Sequence, residues 1–367
     1  MKNKASNKVV AAWLFCCCVA IFFMVIIGGL TRLTDSGLSI VKWEPLSGAV
    51  PPLTKADWQG YFEAYKHTSQ YLLMNKDMSL EQFQGIFWLE YLHRLIARLF
   101  GTILLLPMIY FGIRRYFDRK KFVKLIPIII VALLEPVVGW YMVKSGFVAR
   151  TSVSQYMLMF HLGVAFLLYA LIYWYALDIK FGNIYARCSK EKLAKISLGL
   201  VGLVYFMVLL GALMAGTHAG FTYNTFPLMD GRLVPNGLYI MQPWWVNHFE
   251  NIPLIQFQHR LVAIILALTV FWFAYRLVRI DYNNMVIAIP LVLCMVLQVA
   301  LGISTLYSFG SYADYNAGNF AYNKILYLPV IVAALHQVNA LILFTIILRA
   351  AHKLVKEDAP HKIDMLV

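Results

Sequence analysis

Eight long apolar blocks follow one another along the chain, parted by polar, basic or Pro/Gly-rich segments. They cover Val9–Leu30, Tyr91–Ile113, Phe122–Val143, Gln155–Leu177, Ala194–Ala215, Leu261–Leu277, Met285–Tyr307 and Leu326–Leu348. At about 1.5 Å of rise per residue, blocks of this length can cross a hydrocarbon layer of about 30 Å. The sixth is the shortest, and its pattern extends back toward Pro253. The expected fold is therefore all-α and integral to a membrane, with eight transmembrane helices. Two intervening segments are long and rich in Pro, Gly and Trp, Thr31 to Glu90 and Gly216 to Gln258. In the first, Ser79-Leu-Glu-Gln82 has the spacing of a capping box, which predicts that the second helix starts before its apolar run.

Composition agrees with the pattern. Hydrophobic residues make up 61% of the 367 and charged ones only 14%, against about a quarter charged in soluble domains. The net charge of +14 is gathered between alternate blocks, in Lys2, Lys4 and Lys8, then Arg114 to Lys124, Lys180 to Lys195, Arg276 with Arg279, and Arg349 to Lys362. This is the asymmetry of the positive-inside rule, and it places both termini in the cytoplasm. A nucleic-acid surface would need those charges on one folded face, so no nucleic-acid partner is expected. The basic start, Met1 to Lys8, leads into a block without a small-residue cleavage signal, which reads as a retained helix. Of the five cysteines, Cys16, Cys17 and Cys18 lie in the first block, Cys188 in a basic loop and Cys294 in the seventh block. None has metal-site spacing.

The two halves of the chain repeat. Gly29-Leu-Thr-Arg parallels Gly211-Ala-Leu-Met, and Pro45-Leu46, Gly48 and Val50-Pro51 match Pro227-Leu228, Gly231 and Val234-Pro235. His93-Arg-Leu-Ile-Ala matches His259-Arg-Leu-Val-Ala, Glu135 with Gly139 parallels Gln298 with Gly302, and His161 parallels His336. Each half holds four blocks, which predicts two four-helix bundles, residues 1–185 and 186–367, related by a pseudo-two-fold axis along the membrane normal.

His93, His161, His259 and His336 fall in or at the mouths of the second, fourth, sixth and eighth blocks. Ionisable side chains at such depth need partners. Facing imidazoles in a helix bundle suit axial ligation of haem, with His93 opposite His161 and His259 opposite His336. Histidines that merely hydrogen-bond helices together are the alternative. His67, His218, His248, His352 and His361 are expected to be solvated in loops or the tail. Charge separates the halves: Glu90, on one face with His93, corresponds to Gln256, and Glu135 to Gln298. A carboxylate at a buried reactive centre can move protons, so chemistry is expected in the first bundle and a permanent cofactor in the second. Glu90 could instead form an i,i+4 ion pair with Arg94, and Glu135 a structural hydrogen bond. Arg94, Arg98 and Arg260 are candidates to bind haem propionates, or to snorkel toward the interface.

The run Gly28-Gly-Leu-Thr-Arg-Leu-Thr-Asp-Ser-Gly-Leu-Ser-Ile-Val-Lys-Trp-Glu-Pro45, with Pro51-Pro-Leu53, Glu90-Tyr-Leu-His-Arg94 and Gln258-His-Arg-Leu261, resembles the haem A synthase family. The likeness extends from about Val9 to His352. It implies oxidation of the C8 methyl of haem O to the formyl group of haem A by successive hydroxylations. It also implies a haem b cofactor on His259 and His336, a substrate site with His93 and His161 near the substrate iron, and an essential Glu90. Some members carry a cysteine pair in the first outer loop. Thr31 to Glu90 contains none, so the sequence resembles the branch without it. The setting implied is the bacterial cytoplasmic (inner) membrane, with the lipid bilayer, a haem O synthase and an electron acceptor as partners, and a possible homo-oligomer. Two other readings are a di-haem b-type membrane cytochrome for quinol-linked electron transfer and a transporter of haem or metal ions.

Overall fold

The computed structural model describes residues 2–45, 47–147, 150–182, 191–311 and 328–358. Leu46, Cys188 and His361, each singled out by the sequence, lie outside the described residues. Eleven α-helices are described: α1 (Lys2–Leu33), α2 (Lys55–Lys66), α3 (Ser69–Met74), α4 (Leu80–Ile113), α5 (Arg119–Gly146), α6 (Gln155–Phe181), α7 (Glu191–Gly216), α8 (Asn247–Glu250), α9 (Ile252–Ile280), α10 (Met285–Ser311) and α11 (Leu328–Asp358). Eight of them, all but α2, α3 and α8, are long and apolar enough to cross a membrane. They correspond one to one with the apolar blocks.

α4 begins eleven residues before its apolar run. Ser79 Oγ accepts from the Gln82 N–H at 3.2 Å and Gln82 Oε1 accepts from the Ser79 N–H at 2.8 Å, the reciprocal cap read from sequence. The added turns are amphipathic. Their apolar face, Phe83, Ile86, Phe87 and Tyr91, packs with Phe62 and Tyr65 of α2 in a separate small core. Thr54 and Asp57 cap α2 by the same reciprocal rule and Thr68 caps α3, so the first long loop is a helical hairpin standing on α4. The second is organised by asparagines instead. Asn251 caps α9 and donates to the Gly237 carbonyl at 2.7 Å, while Asn247 donates to Met241 and Trp244. With Pro253 in its first turn, α9 starts where the extended pattern placed it.

α1 packs on α4 and α6, and α5 on α6; in the second half α7 packs on α9 and α11, and α10 on α11. α9 also runs along α10, whereas their counterparts α4 and α5 make little contact with each other. The halves meet where α6 packs on α7 and α1 on α11. Gln337 of α11 donates to the Val25 carbonyl at 2.9 Å, and its amide lies so close to Gly29 that a Cβ there would be 2.1 Å from Oε1. Arg32, at the end of α1, donates to the Ala215 carbonyl at 2.7 Å, pairs with Asp35 at 3.0 Å and meets His218 Nε2 at 2.9 Å.

His352 corrects an expectation. α11 continues through it, and the ring is fully buried. Its Nε2 lies 3.0 Å from Asp178 Oδ1, and Lys124 and Lys356 reach the same carboxylate at 2.6 and 2.9 Å. His352 and Lys356 thus belong to a charged knot joining α5, α6 and α11.

Candidate functional site

Each of the four intramembrane histidines projects from a long helix, and three of them lie hard against a glycine of a neighbouring one. A Cβ on Gly28 of α1 would be 3.0 Å from His93 Nε2. On Gly139 of α5 it would be 3.0 Å from His161 Cε1, and on Gly302 of α10 the same distance from His336 Cε1. Gly211 of α7 faces His259 more loosely, at 3.6 Å. The seats repeat between the halves: α1 and α7 receive the first histidine of each pair, α5 and α10 the second. Gly28, rather than Gly29, is therefore the structural match of Gly211, one residue from the register the sequence suggested.

His93 and His161 lie within electrostatic reach of each other, as do His259 and His336. All four residues are only partly buried, yet Nδ1 of His259 is a buried atom with no hydrogen-bond partner among the described residues, and Nδ1 of His161 is buried with a carboxylate oxygen of Glu135 at 3.2 Å but out of hydrogen-bond alignment. A ring whose Nδ1 is shut off from water suits a ligand taken at Nε2. Among the described residues no three His, Cys, Asp or Glu side chains converge as a protein-coordinated metal would require. Paired imidazoles on bare glycine seats fit a macrocycle, which brings the iron's other four donors itself.

Glu90 is buried, 3% exposed. It accepts from Ser39 Oγ at 2.6 Å, from the Ile40 N–H at 2.9 Å and from Arg94 at 2.6 Å. Arg94 also donates to the carbonyls of Ile40 and Lys42, and Arg98, one turn further, to those of Glu44 and Pro45. Positions 90, 94 and 98 form one face of α4 that fastens residues 39–45 over the helix mouth. The second half repeats the device. Gln256 donates to the carbonyls of Ala219 and Thr222, and Arg260 to those of Tyr223 and Thr225. The Glu90–Gln256 difference therefore follows the polarity of what each holds: a hydroxyl and an N–H need an acceptor, two carbonyls need a donor. Arg94 and Arg260 are engaged with loop carbonyls, while Arg98 Nη1 is buried without a partner among the described residues.

The carboxylate set against a paired histidine is Glu135, whose Oε1 lies 3.2 Å from His161 Nδ1. Its counterpart Gln298 places Nε2 3.2 Å from His336 Nδ1 and 3.3 Å from Nε2. Gln298 Oε1 accepts from Asn339 at 2.7 Å, and Asn339 also donates to the Cys294 carbonyl. Sequence reasoning missed Ser39 and Asn339. Ser39 lies inside the Gly28–Pro45 run, which singled out the segment without the contact. Asn339 carries no sequence signal beyond its place three residues after His336.

The family model described as cytochrome oxidase assembly protein matches residues 11–311. A protein of Nitrosospira multiformis named heme A synthase is 43% identical over 354 residues, 95% of this chain and 94% of its own. Its namesake in Nitrosomonas eutropha is 41% identical over 358 residues, 96% of each chain. That of Parvibaculum lavamentivorans is 36% identical over 359 residues, 97% of each. With the matched segment running from α1 to the end of α10, the chain belongs to the cytochrome oxidase assembly protein family.

Proposed function

We propose that the protein is a haem A synthase, which oxidises the C8 methyl of haem O to the formyl group of haem A by successive hydroxylations. The observation that carries the reading is a histidine–glycine seat built twice, with a carboxylate against the histidine in one copy and an amide in the other. Residues 1–185 form the substrate bundle and residues 186–367 the cofactor bundle, related by a pseudo-two-fold axis along the membrane normal. His259 and His336 hold haem b, which supplies one-electron redox capacity when bound. His93 and His161 hold the substrate porphyrin by its iron. The loose contact between α4 and α5 leaves the first bundle open toward lipid, the direction from which a prenylated porphyrin arrives.

The chain's own groups then bind, orient and cover. Glu90, Arg94 and Arg98 keep residues 39–45 across the outer mouth beside His93, and Glu90 is essential in that role. Arg98, whose buried Nη1 has no partner among the described residues, takes a propionate; Arg94 and Arg260 contribute positive charge at the rims. The protein works in the bacterial inner membrane with both termini in the cytoplasm, receives haem O from a haem O synthase and passes electrons to an acceptor. Pigment extraction tests this: cells supplied with a haem O source should accumulate haem A when they express the protein, and His93→Ala and His161→Ala should abolish it. Haem O alone with the wild-type protein, together with two permanent b haems, would instead establish the di-haem cytochrome.

A further inference from the structure

Glu135 is not accounted for by binding alone. An imidazole that gives Nε2 to iron must carry its proton on Nδ1, and that N–H needs an acceptor where it is shut off from water. His161 Nδ1 is such an atom. Glu135 Oε1 lies 3.2 Å from it, and Glu135 Oε2 is itself buried without a partner among the described residues. One turn along α5, Gly139 leaves bare backbone against Cε1 of the same ring. α5 thus offers His161 an acceptor beside Nδ1 and a bare seat against Cε1.

The second half keeps the seat and changes the partner. Gln298 Oε1 is occupied by Asn339 Nδ2, so the amide turns its N–H toward His336. Val164 stands where Asn339 would be in the first half, three residues beyond the histidine. A carboxylate accepting Nδ1–H raises the basicity of a ligating imidazole, and an amide donor does not.

We propose that Glu135 is a positioning residue for the substrate-site ligand: it accepts the Nδ1 proton of His161, fixes the tautomer that offers Nε2, and makes that imidazole a stronger donor than His336. This rests on the reading that the first pair binds the substrate porphyrin. The test is redox titration and low-temperature electron paramagnetic resonance of the purified full-length protein loaded with haem O. Glu135→Gln should retain haem O, shift the first-site midpoint potential positive and change its ferric signature. The second-site haem b should stay as in wild type, reporting an intact fold. Glu135→Leu should lose first-site occupancy, and Glu135→Asp should restore part of it. Gln298→Glu should shift the second site negative. Bound haem O in Glu135→Gln with an unaltered potential and spectrum would overturn the assignment. Should that variant misfold and lose both haems, an unshifted second site in Gln298→Glu would overturn it equally. Wild-type protein that keeps haem b but takes up no haem O would bring down the underlying functional reading instead.

Discussion

Replacing Glu90 separates a fastening role from a purely chemical one. Its carboxylate is buried and accepts three hydrogen bonds, from Ser39, Ile40 and Arg94, so Glu90→Gln leaves one oxygen to serve three donors and turns an N–H toward one of them. A buried donor left unpaired costs about 1–3 kcal/mol. The Arg94 pair is only partly screened, with the two side chains 18% and 3% exposed. Arg94 keeps its carbonyl acceptors at Ile40 and Lys42, which limits the local loss to about 2 kcal/mol. That corresponds to about 30-fold faster local opening. Amide exchange across residues 38–42, followed by mass spectrometry in detergent, should accelerate by that factor while the membrane core of α4 is unchanged. Ser39→Ala, which removes one of the three donors, should give a smaller acceleration and a partial loss of haem A formation. If Glu90→Gln abolishes haem A formation and the 39–42 amides exchange at the wild-type rate, the fastening argument is wrong.

Three further outcomes follow from the structure. Gly139→Ala and Gly302→Ala each place a Cβ 3.0 Å from a histidine Cε1, so each should reduce haem content at its own site alone, read from pyridine haemochrome ratios. Asp178→Asn weakens the pairing of Lys124, His352 and Lys356 around a fully buried imidazole. It should cost about 2–4 kcal/mol and lower the thermal midpoint of the haem b Soret band. The Asp57 carboxyl is held below its usual range by the N–H and hydroxyl of Thr54, then by the Leu53 N–H. A depressed folded value means its support of α2 is complete above the unfolded value, 3.8, and is lost as the pH falls through the lower folded one. Protease cleavage within residues 50–70 should therefore rise on acidification through that range in wild type, and less so in Asp57→Asn.

The spans were legible because bilayer burial demands nothing subtler than length and apolarity. Where hydropathy alone fell short, the helix was amphipathic: the first turns of α4 contain Glu81, Gln82, Gln84 and Glu90 while Phe83 and Phe87 bury beneath α2, and there the capping box of Ser79 and Gln82 marked the start. Thr54 and Asp57 mark the start of α2 as plainly as Ser79 and Gln82 mark that of α4, so that helix could have been read by the same rule. His352 could not. Its neighbours resemble a cytoplasmic tail, and only the continuation of α11 beside Asp178 makes it a core residue. The recurrence of the histidines in both halves was legible from the repeat, but the group set against each ring was not. Glu90 and Glu135 look equivalent as acidic departures from glutamine, and three-dimensional contact alone assigns one to a loop and the other to an imidazole.

Duplication also explains why small differences suffice. Both halves seat the second histidine of each pair on a glycine at the same 3.0 Å, so a porphyrin would meet nearly the same steric surroundings in either. What distinguishes them is how tightly the scaffold closes and what faces the ring. α9 packs along α10, and Asn339 ties Gln298 and Cys294 together beside His336. A wall tied in this way suits a group that never leaves. In the first half α4 and α5 stand apart, Val164 offers no such tie, and Glu135 Oε2 and Arg98 Nη1 are buried without partners among the described residues. Unpaired groups of that kind are costly in a site that stays empty and favourable in one that fills. On the proposed reading the first half therefore binds its substrate by satisfying them, and an altered product, displaced by the next haem O, leaves through the same gap between α4 and α5.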